Sequence, residues 1–124
     1  MMSKILLIED NKTTNFISKL ALKSVGIETV DEVFNGMEAC QYLQKICPDV
    51  IFLDLNMPVM DGWEFLEEIE IKQICRGVKI AILTSSRHPN DIKRSKFYPS
   101  VIAYLEKPLT KEKIETVRNT LDGL

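Results

Sequence analysis

The chain has few of the residues and patterns that mark a disulfide scaffold, a zinc module, a membrane protein or a nucleic-acid binder. Its 124 residues include 3 cysteines and 1 histidine. Cys40, Cys47 and Cys75 are odd in number and lack CxxC spacing, which argues against a disulfide framework or a zinc site. They are expected to pack as small hydrophobes, with Cys40 and Cys47 two turns apart on one helical face. No apolar run reaches bilayer length, and the amino terminus lacks a secretory-signal pattern. A net charge of -2 with no basic run leaves no electrostatic footprint for nucleic acid. Repeats, linkers and low-complexity tracts are also missing. These absences point to a soluble, cytoplasmic domain without membrane insertion or a nucleic-acid partner.

The chain does contain four short apolar runs, each ending in a polar residue suited to one chemical task. Ile5–Ile8 leads into Glu9-Asp10, Val50–Leu53 into Asp54, Ile80–Leu83 into Thr84-Ser85-Ser86, and Val101–Leu105 into Glu106-Lys107-Pro108. Continuous apolar runs of this length, separated by helix-like segments, read as parallel strands buried on both faces. In open α/β sheets, ligands bind outside the carboxyl ends of the strands. Acids, a hydroxyl and a lysine far apart in sequence are therefore expected to converge at one sheet edge.

Strand and helix patterns alternate five times. Strands are expected at about 4–8, 28–34, 49–53, 79–83 and 101–105, and helices at about 13–25, 37–46, 62–74, 90–97 and 111–121. Ile17, Leu20, Ala21 and Ser24 have the spacing of an inner face for the first helix, and Gly26 suits a left-handed stop. The second strand places Asp31-Glu32 between Val30 and Val33, as suits a protected sheet edge. Asn35 with Glu38, and Asp61 with Glu64, have capping-box spacing. The alternation implies a doubly wound five-stranded parallel sheet with helices on both faces. Asp122-Gly123-Leu124 follow directly on the last helix, so a single domain over 1–124 with no output domain is expected.

An aspartyl phosphate site requires these residue types. Asp54 is placed to act as nucleophile. Hard Mg²⁺ favours a few carboxylates, backbone carbonyls and retained waters. Asp10 and Asp54 can supply carboxylates, and Glu9 can hold a water. Lys107 offers a compact ammonium for charge on the transferring group, and Thr84 offers a hydroxyl. Phosphoryl transfer asks for little beyond positioning and charge. Each residue also has a plainer reading: Asp10 as a helix cap, Asp54 and Thr84 as turn residues, Lys107 as a solvated lysine, and His88 as a loop residue. Their coincidence at one end of four strands argues for a site.

The segments ILLIEDN, VIFLDLNMPVMDGWEFL, IAILTSS and AYLEKPL span nearly the whole chain. They resemble the receiver domain of two-component response regulators, more narrowly the single-domain, chemotaxis-type receivers. The resemblance implies a flavodoxin-like fold with strand order 2-1-3-4-5. It implies Asp54 as phosphoacceptor, supplied by a sensor histidine kinase or a histidine phosphotransfer protein. Mg²⁺ would be bound by Asp10, Asp54 and the Asn56 main-chain carbonyl, with Glu9 acting through water. Lys107 would bind a phosphoryl oxygen and precede a cis bond to Pro108. Thr84 would be the switch hydroxyl and Tyr104 the switch aromatic.

Phosphorylation would draw Thr84 inward and let Tyr104 fill the vacated space. The affected surface would comprise the fourth helix, fifth strand and fifth helix, around Lys93, Arg94, Phe97 and Tyr98. It would face an unknown protein target, with either Phe97 or Tyr98 packed in the core. Asn56 and Ser86 resemble positions that tune hydrolytic water. The domain would assist its own phosphorylation and dephosphorylation without turning over a separate substrate.

Three other readings fit less well. A haloacid-dehalogenase-type phosphohydrolase needs Asp-x-Asp, and Asn56 cannot carry the proton of the second acid. A flavin-binding module would want a Ser/Thr/Gly-rich phosphate loop, which Asn11-Lys12-Thr13-Thr14-Asn15 echoes faintly, but Glu9-Asp10 would repel a phosphate. A receiver-fold binding module not regulated by phosphorylation would have no need of the full acidic, hydroxyl and lysine set.

Overall fold

The computed structural model describes residues 2–124. Strands and helices alternate as β1 (Lys4–Ile8), α1 (Lys12–Ser24), β2 (Thr29–Val33), α2 (Gly36–Leu43), β3 (Val50–Leu53), α3 (Gly62–Lys72), β4 (Lys79–Thr84), α4 (Pro89–Ser95), β5 (Val101–Glu106) and α5 (Lys111–Asp122). All strands pair in parallel, in the order β2-β1-β3-β4-β5. β1, β3 and β4 lie inside the sheet and are covered on both faces, which is why they read as unbroken apolar runs. The polar β2 takes one edge.

Side-chain alternation along the strands divides the core in two. Leu6, Ile8, Ile51, Leu53, Ile80 and Ile82 pack against Ala39 and Leu43 of α2 and Phe65, Leu66 and Ile69 of α3. Ile5, Leu7, Val50, Phe52, Ala81 and Leu83 pack against Leu22 of α1 and Ile114 and Val117 of α5. Truncating a fully buried ring such as Phe65 to alanine costs about 3–5 kcal/mol. β5 carries a bulge: Ile80 pairs with Val101 but Ala81 with Ala103, so Ile102 is the extra residue. The shifted register sets Thr84 opposite Glu106.

Side chains close the helix starts. Asn11, Asn35 and Thr110 accept from the backbone N–H three residues on. Asp61 and Glu64 form a full capping box. Glu38 instead reaches back to the Phe34 N–H, one residue before its cap. His88 is the cap of α4, its Nδ1 accepting from the Asn90 N–H at 3.1 Å. Gly26 adopts φ 86 just past α1, and Lys107-Pro108 is a cis peptide. Among the described residues no helix is long and apolar enough to cross a membrane.

Two expectations are corrected. The inner face of α1 is Asn15, Ser18 and Leu22, while Ile17 and Leu20 are 43% and 53% exposed. Ser24 lies at the surface and Ala21 is half-buried. Buried Asn15, whose Nδ2 donates to the Glu9 carbonyl at 3.1 Å, helps set the phase, and a polar inner face is invisible to hydropathy. The cysteines also differ. Cys47 and Cys75 form a disulfide, with Sγ–Sγ 2.08 Å and Cα–Cα 5.6 Å across 28 residues. α2 ends at Leu43, so Cys47 does not share its face with Cys40. Cysteine spacing could not reveal the pair: each half precedes one of the neighbouring strands β3 and β4, and strand pairing brings the two approaches together. Cys40 remains free and half-buried.

Candidate functional site

The sheet ladder continues past the strand ends and fixes the site. The Glu9 N–H donates to the Val33 carbonyl at 3.1 Å, the Asp54 N–H to Ile8 at 2.9 Å, and the Lys107 N–H to Thr84 at 2.9 Å. Because Ile8 pairs with Leu53, Glu9 stands beside Asp54. Glu9 and Asp54 are each 5% exposed and Thr84 is fully buried, while Asp10 lies at the open mouth. Glu9, Asp10 and Asp54 each offer a carboxylate oxygen within 4.8 Å of the others. The Lys107 ammonium lies 3.5 Å from Asp54 Oδ1 and contacts Glu9 Oε1 more closely.

The backbone beneath Asp54 is tightly held. The Gly62 N–H donates to the Leu55 carbonyl at 3.0 Å. A Cβ on Gly62 would meet the Asp54 carbonyl oxygen at 2.5 Å, so the start of α3 can approach only as glycine. Across the loop between β3 and α3, the Met60 N–H donates to Pro58 at 2.8 Å and its carbonyl accepts from Gly36 at 2.9 Å. Val59 in this loop adopts φ 68, a left-handed conformation rare for a β-branched residue.

The electrostatics describe a site rich in negative charge. Burial foremost raises the Glu9 carboxyl to about 7; the Lys107 ammonium opposes this, and Asp10 and Asp54 add to it. Burial foremost also raises Asp54, while the Lys107 charge and the Asn56 backbone N–H hold it down. The Asn11 N–H donates to Glu9 Oε2 at 3.1 Å. Glu9 Oε1, although in ionic contact with Lys107, receives no well-aligned hydrogen bond among the described residues. Three clustered hard carboxylate donors, with a single ammonium to offset them, fit a divalent cation such as Mg²⁺.

Around Thr84, the loop after β4 is tied down through Ser86. The Ser86 N–H donates to Thr84 Oγ1 at 3.3 Å, the Ser86 hydroxyl donates to Asp91 at 2.6 Å, and the Tyr104 hydroxyl donates to the Ser86 carbonyl at 3.0 Å. Tyr104 is half-buried and its hydroxyl is anchored on the loop that follows Thr84. Asn56 is exposed two residues beyond Asp54. Of the outer aromatics, Tyr98 is buried and donates to Glu67 at 2.7 Å, while Phe97 is 83% exposed.

Sequence reasoning missed the anchoring of Ser86 by Tyr104, the role of Asn15 beneath Glu9, and the turn of Arg94 toward α3. The Arg94 guanidinium lies 4.3 Å from the centre of the Trp63 ring. Only strand pairing and helix docking bring these partners together, and no spacing rule signals them.

Five parallel strands with acids, a hydroxyl and a lysine at their carboxyl edge define a doubly wound α/β domain of the receiver type. The family profile described as "Response regulator receiver domain" matches residues 5–118, and the chain belongs to that family. The chain is 37% identical over 83 residues to a protein-glutamate methylesterase/protein-glutamine glutaminase of Treponema denticola, covering 66% of this chain and 22% of that protein. It thus spans about a fifth of that relative's length. The crystal structure of a two component response regulator from Cytophaga hutchinsonii superposes with TM-score 0.89 at 25% identity, covering 98% of each chain. The receiver domain of sensor histidine kinase PA1611 from Pseudomonas aeruginosa, solved with magnesium coordinated in its active site cleft, superposes with TM-score 0.83 at 27% identity, covering 100% of each chain.

Proposed function

We propose that this chain is a phosphorylation-controlled signalling domain of a two-component phosphorelay, with Asp54 accepting a phosphoryl group from a histidine. The observation that carries this reading is a carboxylate 5% exposed at a strand end, 3.5 Å from the Lys107 ammonium, with two further carboxylates within 4.8 Å. An Asp54 carboxylate oxygen attacks phosphorus; the P–O bond forms as the P–N bond to the donor imidazole breaks, and the released nitrogen takes up a proton. Lys107, shared between Glu9 and Asp54 beforehand, pairs with a phosphoryl oxygen. The site's residues are positioned before transfer, which is what this chemistry chiefly requires.

Asp10, Asp54 and the Asn56 main-chain carbonyl would hold Mg²⁺, with Glu9 acting through a water. The bound ion supplies positive charge against the phosphoryl oxygens. Thr84 gives its hydroxyl to the new phosphoryl group and loosens its contact with the Ser86 N–H. Tyr104 follows into the space, since its hydroxyl is anchored on the same residue. This shifts a two-state equilibrium of the surface formed by α4, β5 and α5 toward binding a downstream protein. Asn56 and Ser86 tune the entry of hydrolytic water. The domain assists its own phosphorylation and dephosphorylation and turns over no separate substrate. Its partners are a sensor histidine kinase or histidine phosphotransfer protein and a protein target, in the cytoplasm, without nucleic acid or membrane insertion.

The test is intact mass after incubation with Mg²⁺ and a small acyl phosphate, beside an Asp54→Asn variant. Gain of one phosphoryl group by the parent alone is expected. No gain in the parent, followed by failure with a panel of phosphorylated histidine kinases, would defeat the reading.

A further inference from the structure

A second chemically labile group lies away from the acidic site. The Cys47–Cys75 bridge joins the segment before β3 to the segment before β4, at the amino edge of the sheet, opposite Asp54. Cys47 is exposed and Cys75 half-buried. The backbone around Cys75 is unusual: Gln73 has φ 52, Cys75 φ 48 and Gly77 φ 83. Three left-handed residues within five, two of them bearing side chains, make a turn that an unrestrained chain adopts reluctantly. A cavity of about 150 Å³ lies beside it, lined by Ile69, Gln73, Ile74, Cys75, Gly77 and Ser100, and leaves the turn room to move.

We propose that Cys47–Cys75 is a reversible redox site, opened by a dithiol reductant in the folded domain, and that opening releases the turn between α3 and β4. Bridges in a reducing compartment are usually transient or sensing ones; this step rests on the cytoplasmic location proposed above. A reductant thiolate attacks the Cys47 sulfur, the S–S bond breaks, and Cys75 leaves as a thiolate that takes a proton from solvent. The reductant's second thiol then attacks the mixed disulfide and frees Cys47. Two electrons pass from the dithiol, itself oxidised to a disulfide, to the two cysteines. Cys40 is a poor competitor in this exchange, because burial foremost, then the Glu68 charge, raises its thiol and disfavours the thiolate.

The experiment uses the full chain purified without reductant. Folded protein is incubated with graded dithiothreitol, quenched with iodoacetamide, and weighed intact. The oxidised form should take at most one adduct, at Cys40. Reduction without denaturant should add two more, and removing the dithiothreitol and reoxidising with oxidised glutathione before the quench should abolish these two. Amide hydrogen exchange within residues 73–78 should rise at least tenfold on reduction, while β1 and β3 stay protected. The Cys47→Ser variant should exchange like the reduced parent. The proposal falls if the air-oxidised chain carries no bridge, if the bridge opens only in denaturant, or if exchange in 73–78 is the same in both states.

Discussion

Replacing Gly62 with alanine probes the contact on which the position of Asp54 depends. The new Cβ would stand 2.5 Å from the Asp54 carbonyl oxygen and 2.8 Å from Leu55 Cα. Ordinary contact begins near 3.4 Å, so the start of α3 must retreat by roughly 0.9 Å. Both obstructing atoms are backbone and cannot rotate aside. Overpacking of this kind costs about 1–3 kcal/mol. Weakening the 3.0 Å bond from the Gly62 N–H to Leu55 adds about 1 kcal/mol. Alanine's better helix propensity returns at most about 1 kcal/mol, and less in a first turn, so the clash decides the sign.

The expected outcome for Gly62→Ala is a loss of about 1–4 kcal/mol in urea unfolding. Displacement of Asp54 should also slow phosphorylation by about tenfold or more, since shifts near 1 Å can cost a hundredfold. Gly26→Ala is the control: Gly26 has φ 86 but no atom within 4 Å of the added Cβ. It should lose about 1 kcal/mol through backbone strain, with phosphorylation unchanged. A Gly62→Ala protein within about 0.5 kcal/mol of the parent and phosphorylated at the same rate would refute the reasoning.

Three further outcomes are expected. In metal-free protein, Glu9 is raised from 4.5 to about 7, so the folded state retains a proton that the unfolded chain has lost. Its stability contribution is fully present below pH 4.5 and is lost progressively as pH rises through about 7, about 3–4 kcal/mol in all at about 1.4 kcal/mol per pH unit, with no further loss above that. Urea melts with a chelator should slope less for Glu9→Gln, and equal slopes in the two proteins would contradict this origin. Val59→Gly should stabilise the domain by about 1 kcal/mol, because φ 68 strains a β-branched residue; a lower urea midpoint would contradict that strain. Lys107→Met should slow phosphorylation by at least about tenfold while tightening Mg²⁺ binding measured by calorimetry, because the competing ammonium is gone. Weaker Mg²⁺ binding would count against the competition.

Much of the fold was legible because the relevant signals are local. The runs Ile5–Ile8, Val50–Leu53 and Ile80–Leu83 record burial on both faces of a sheet, and the charged β2 records an edge. Cap residues such as Asn35 and Asp61 act within one turn of themselves, and Asp61 with Glu64 closes a full capping box. The candidate site was legible for a related reason: a parallel sheet aligns its strand ends, so the residues following each run must meet.

Features that depend on distant partners were not legible. The hydrophobic pattern of α1 pointed to Ile17 and Leu20, but the helix turned to bury Asn15, whose amide found the Glu9 carbonyl. Cys47 and Cys75 were unremarkable by spacing, yet the pairing of β3 with β4 brought them to bonding distance. Arg94 was expected on the responsive surface, but its contact with Trp63 came only with the docking of α4, and Tyr104 acquired its anchor on Ser86 only across neighbouring strands. By itself, the sequence determined the alternation of elements, the sheet's buried middle and the set of residues at its carboxyl edge. The inner face of α1, the disulfide, the burial that raises Glu9 and the ties between α3 and α4 were decided only by tertiary structure. Apolar periodicity and capping report how a residue meets solvent or its own turn, whereas these features depend on which distant atoms chain packing places within a few ångströms.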